Sequence, residues 1–161
     1  MGKLQKRQEA TVKFEKYLVA YQKMAMFLMI PALLSTFWAF IPFGNPQVTG
    51  IMTLGSARMI NGFVGESFAY GGALESLGIL MVAVLCTVYA AKGKLPFYLA
   101  ALVIYAIDLG IDIYLLAWTE FGQGSVFSVI IHSVFVIAFS IGIVLYFKAR
   151  KYLTEEQRLS K

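Results

Sequence analysis

Cysteine and histidine each occur once in the chain, as Cys86 and His132. A single cysteine excludes an internal disulfide and any CxxC redox or zinc centre, and with them the disulfide-exchange class of small four-helix membrane enzymes. A single histidine excludes bis-histidine haem ligation. Charge is also scarce: Asp, Glu, Lys and Arg make up 14% of the 161 residues, against about 25% in an ordinary soluble domain. So few charges could not cover the surface of a water-soluble fold of this size, which argues for lipid as the solvent. There is no P-loop, no HExxH and no nucleophile elbow. Low-complexity tracts and long internal repeats are missing too. Cys86 lies in an apolar run and reads as a packed, inert thiol.

What the chain has in abundance is apolar residues, 59% of the total. They gather in segments 24–43, 69–91, 95–118 and 126–147. Each is roughly 20 residues, the length a helix needs to cross about 30 Å of hydrocarbon. Backbone in lipid must satisfy its own hydrogen bonds, so each segment is expected to be a helix. The expected fold is therefore all-α: one membrane domain over residues 1–161, a four-transmembrane-helix bundle with an amphipathic amino-terminal helix.

The net charge of +5 is distributed by topology. Lys3, Lys6, Arg7, Lys13, Lys16 and Lys23 precede the first segment, Lys92 and Lys94 lie between the second and third, and Lys148, Arg150, Lys151, Arg158 and Lys161 follow the fourth. Of the 14 basic residues only Arg58 falls on the other side. The positive-inside rule then places both termini and the 92–94 loop in the cytoplasm of a multi-pass protein of the cell inner (plasma) membrane. Basic residues confined to membrane flanks point to lipid headgroups and not to nucleic acid as partner. The first segment begins too late and runs too long for a cleaved signal peptide, and Lys6 occupies the position where a myristoylation signal wants Ser or Thr.

Two flanking stretches carry further pattern. Phe14, Tyr17, Leu18 and Tyr21 follow the i, i+3, i+4, i+7 spacing of one helix face, with Lys13, Lys16 and Lys23 off that stripe. Residues 1–23 thus read as a cytoplasmic or interfacial amphipathic helix, either on the inner leaflet or extending the first membrane helix. Residues 45–68, on the outer side, are long for a bundle loop and apolar, with Gly50, Gly55, Gly62 and Gly65. Within this outer loop Gln47–Phe63 reads as a short interfacial or re-entrant helix, a pocket wall or simply a surface helix. Residues 148–161 form the cytoplasmic tail.

Ionisable groups inside membrane segments are costly unless they face the bundle interior or water. Glu75, Asp108, Asp112 and His132 occupy such positions. Glu75, Asp112 and His132 each lie about six residues from the outer end of a segment, roughly 9 Å deep at about 1.5 Å per residue. Asp108 is one turn deeper than Asp112 on the same helix face. Tyr105 sits one turn below Asp108, and Ser128, His132 and Ser140 are read as one face of the fourth segment. The small residues Gly71, Gly72, Ala73, Ser76 and Gly78 around Glu75 suit close helix packing.

The third and fourth segments read IYAIDLGIDIYLLAW and IIHSVFVIAFSIGIVLYFKARK. They resemble a set of uncharacterised bacterial four-helix inner-membrane proteins in which a Tyr-x-x-Asp pattern in helix three precedes a His early in helix four. The matching positions are Tyr105, Asp108 and His132. The resemblance covers about a third of the chain and implies a four-helix fold and a bacterial inner membrane, but no activity.

Three carboxylates and an imidazole within one helical turn of depth suit several roles. Clustered carboxylates share protons and His titrates near neutrality, which suits a proton or cation relay. Carboxylates with one imidazole could ligate a divalent cation through His132, Asp112 and Glu75. The leading expectation is a binding or transport component for a proton, metal cation or small cationic ligand, with Glu75, Asp108, Asp112 and His132 as its core and Tyr105 and Ser128 in support. So small a bundle would work as a homo-oligomer or within a larger membrane complex. The alternatives are a structural or accessory subunit, and a membrane enzyme acting on a lipid or isoprenoid headgroup by acid–base catalysis.

Overall fold

The computed structural model describes residues 2–40, 56, 71–118 and 126–160. Within them the chain is all-helical, and four of its helical stretches are long and apolar enough to cross a membrane. The helices are α1 (Lys3–Phe27), α2 (Ile30–Phe40), α3 (Gly71–Ala91), α4 (Leu95–Trp118) and α5 (Val126–Ser160). The outer loop 45–68, with the interfacial or re-entrant helix expected at 47–63, lies outside the described residues except at Ser56.

The first apolar segment is not one straight helix. Pro31 has no N–H to offer the Phe27 carbonyl, and its ring crowds that oxygen, so a helix must break one turn earlier. It does so at Leu28 and Met29, where Leu28 N–H bonds back to Ala25 O at 3.2 Å before Leu33 N–H bonds to Met29 O at 2.9 Å. The turn between α3 and α4 has an equally local cause. Gly93 adopts φ 81°, the left-handed conformation that suits glycine. Its N–H bonds to Ala90 O and that of Lys94 to Tyr89 O, the Schellman pattern that closes a helix end. Pro96 in the first turn of α4 costs no helix bond, because those N–H groups have no partner within the helix. A connection this short makes α3 and α4 antiparallel neighbours.

The helices pack in a ring: α1 along α5, α2 and α1 against α3, α3 on α4, and α4 on α5. A seam at alternating spacings of three and four residues faces inward on α4, as Tyr98, Ala101, Tyr105, Asp108, Asp112 and Leu115, all buried. The facing seam on α5 runs Ser128, His132, Phe135, Phe139, Gly142, Tyr146 and Ala149. This is the period of left-handed antiparallel packing. Its tightest point is Gly142, where any Cβ would overlap the Tyr98 side chain. Tyr98 donates its hydroxyl to Phe139 O at 2.8 Å across the same contact.

The polarity of the bundle is inverted relative to a water-soluble one. Small and polar residues share the interior with the aromatic seam: Ala25, Ala83, Ala90, Ser35, Ser76 and Asp112 are at most 5% exposed, as are Tyr21, Tyr98 and Phe139. Large apolar side chains cover the outside, among them Met81, Val103, Ile107, Val134, Ile137 and Phe147. The stripe of Phe14, Tyr17, Leu18 and Tyr21 is partly or fully buried and turns toward α5. Tyr17 stacks on Tyr152 at 5.6 Å and Tyr21 meets Tyr146 at 5.2 Å. Arg7 pairs with Glu156 at 3.1 Å further out. The carboxy-terminal tail is thus the last part of α5, and it runs beside α1.

Candidate functional site

The seam on α4 carries the site. Residues 105, 108 and 112 fall on one face because alternating steps of three and four average 3.5 residues, close to one helical turn. That face turns both aspartates inward, where Asp108 is 3% and Asp112 0% exposed.

Asp112 meets α5. Its Oδ2 lies 3.2 Å from His132 Nδ1, and the same nitrogen lies 2.9 Å from the Ser128 carbonyl and 3.1 Å from Ser128 Oγ. A carbonyl oxygen can only accept, so these contacts place a proton on Nδ1, shared between the carbonyl and the carboxylate. His132 and Ser128 are both buried, one turn apart on α5. Ser140 does not share their face. It is exposed and bonds to Val136 O of its own helix. Eight residues beyond His132, at about 100° each, leave it well off the inward line.

Asp108 meets the segment between α2 and α3. The Ser56 N–H and hydroxyl both donate to Asp108 Oδ1, at 3.0 and 2.6 Å. Glu75, on α3, is half-buried and lies beside the same Ser56 hydroxyl and within electrostatic reach of Asp108. Its Oε2 is buried with no hydrogen-bond partner among the described residues.

The four ionisable residues therefore resolve into two linked pairs, Glu75 with Asp108 around Ser56, and Asp112 with His132. The link is the one-turn step on α4. Among the described residues no three His, Cys, Asp or Glu side chains form a group fit to hold a metal ion. His132, Asp112 and Glu75 are not gathered into one ligand set.

Tyr105 has a different part. Its hydroxyl donates to Leu28 O at 2.5 Å, and the Ala32 backbone, the ordinary helical partner of that carbonyl, hydrogen-bonds the same hydroxyl. Tyr105 thus bridges the break that Pro31 causes. Two hydroxyls of α2, Ser35 and Thr36, lie nearby and meet Ser76, one of the small residues around Glu75, on the α2–α3 contact. Ser35 Oγ is 3.0 Å from Ser76 Oγ, and Thr36 Oγ1 is 3.0 Å from Ser76 O. The adjacent pair Ser35–Thr36 in an otherwise apolar run was the available signal. Nothing in the sequence pointed to Ser56.

No protein-family model, curated protein or solved structure matches the chain. The resemblance carried by Tyr105, Asp108 and His132 rests on the sequence alone.

Proposed function

We propose that the chain is a small polytopic protein of the cell inner membrane, with both termini cytoplasmic, whose interior binds a proton or small cation at Glu75, Asp108, Asp112 and His132. The observation that carries this reading is the burial of both aspartates inside helices apolar enough to span a membrane. By insertion scales an ionised aspartate at such a depth costs about 3 kcal/mol. Ordinary packing gains nothing from that cost, whereas proton or cation exchange needs groups of this kind. Two pairs one helical turn apart make two stations between which a proton can pass, with Tyr105 and Ser128 holding helix and imidazole in position. A pathway through the membrane would require a homo-oligomer or a larger membrane complex.

One observation favours a second reading. Asp112 holds His132 across the α4–α5 seam while Ser128 of the same helix contacts the ring, which is also what a purely structural clasp would do. The two readings separate in one experiment. Thermal unfolding of the detergent-purified chain is followed against monovalent and divalent cations, at about pH 5.5 and about pH 7.5, either side of the ordinary histidine range. A ligand at about 100 times its dissociation constant stabilises the folded state by roughly 2.7 kcal/mol. A pH- or cation-dependent rise that is lost in Asp108→Asn and His132→Ala supports binding. Variants that lower stability equally under every condition would leave only the clasp.

A further inference from the structure

The inner end of the bundle carries a belt of cations without acids. Lys23 ends the basic run of α1, Lys92 and Lys94 flank the α3–α4 turn, and Lys148, Arg150 and Lys151 follow the apolar part of α5; all are exposed. Three contacts bring these stretches to one level. Gln22 Nε2 donates to Ala91 O at 3.2 Å, tying α1 to the end of α3. Tyr21 lies 5.2 Å from Tyr146, and Lys148 sits 5.5 Å over the Tyr17 ring, tying α1 to α5. Lys92 over Tyr89 and Arg150 over Tyr146 are likewise held on aromatic faces. Such placement orients a cation without neutralising it.

Charge is zoned along the projecting helices. Residues 16–65, 76–107 and 121–154 contain no Asp or Glu. The acids begin only further out, at Glu15 and Glu9 on α1 and at Glu155 and Glu156 on α5, where Glu156 pairs with Arg7. Topology alone asks for an excess of basic residues near the inner face; it does not ask that acids be kept out of one level and admitted at the next. We propose that this belt is a binding surface for anionic phospholipid headgroups, several phosphates being shared among cations from three connections. The proposal rests on the membrane reading but not on the polar cluster.

The test uses the full chain purified in neutral detergent, where orientation in a bilayer plays no part. Its thermal midpoint is titrated with phosphatidylglycerol and with phosphatidylcholine. Two variants of equal charge loss are compared, K23Q/K92Q/K94Q/K148Q in the belt and K3Q/K6Q/K13Q/R158Q on the outer part of the helices. Phosphatidylglycerol is expected to stabilise the chain where phosphatidylcholine does not. The belt variant should need at least about tenfold more of the anionic lipid, and the outer variant less than about twofold more. Equal response to the two lipids, or equal loss in the two variants, overturns the proposal. So does the same stabilisation by inorganic phosphate, which would mark a phosphate site and not a lipid one. A chain that stays monodisperse in water without detergent would instead overturn the membrane reading itself.

Discussion

Removing the hydroxyl of Tyr105 should cost stability only because Pro31 has broken the helix it faces. In Tyr105→Phe the Leu28 carbonyl loses a 2.5 Å hydrogen bond at a buried position. A buried carbonyl left without a partner costs about 1–3 kcal/mol. Interhelical hydrogen bonds between membrane helices average only about 0.6 kcal/mol, because the unfolded helices find other partners. A carbonyl at a break has fewer such partners than one in a regular helix, so about 1–2 kcal/mol is expected. The control is Pro31→Ala, which gives Phe27 O its missing N–H and lets the helix run on, so that Leu28 O can meet Ala32 N–H directly. In that background the tyrosine hydroxyl becomes the group in excess, and Tyr105→Phe should be nearly neutral. Unfolding in mixed micelles with rising SDS, followed by helix signal, measures all four proteins. The coupling between the two sites should reach about 1 kcal/mol. An equal cost of Tyr105→Phe in both backgrounds would refute the bridging role.

Other consequences follow from the packing. Gly142→Ala drives a methyl group into Tyr98; a loss of about 1–3 kcal/mol is expected, and Tyr98→Leu should recover part of it in the double variant. Arg7→Ala removes an ion pair whose arginine is 46% exposed, so its effect on the thermal midpoint should correspond to at most about 1 kcal/mol and should fade in salt. Asp112→Asn and His132→Ala share one contact and should be less than additive; strict additivity would mean that the pair does not act as a unit.

The all-helical architecture and the four long apolar helices were legible because lipid-length apolar runs admit little else. The depth estimate also put Asp112 and His132 at one level, and they touch. Rotation of the helices was harder to read. Glu75 was counted at the level of Asp112, yet it lies by Asp108 and Ser56. The signal was available in the seam: the polar residues of α4 continue the three–four spacing of Tyr98, Ala101 and Tyr105, which fixes the inward face without a structure. Ser140 departs from the face of His132 because eight residues at about 100° each turn it away from the inward line. The break at Leu28 follows from Pro31, and the continuous hydropathy of the run hides it. The contact of Ser56 with Asp108 spans 52 residues and has no local signature at all.

The most direct measurement is thiol accessibility in sealed vesicles of both orientations. Single cysteines replace Glu75, His132, Ile107 and Ile137 in a Cys86→Ala background, and a charged, membrane-impermeant reagent is applied. If the polar cluster is an exchange site within a membrane bundle, Glu75→Cys and His132→Cys react from one face only. Ile107→Cys and Ile137→Cys, on the apolar exterior, stay unlabelled. Labelling of all four positions, or of the isoleucine positions alone, would contradict a shared interior site.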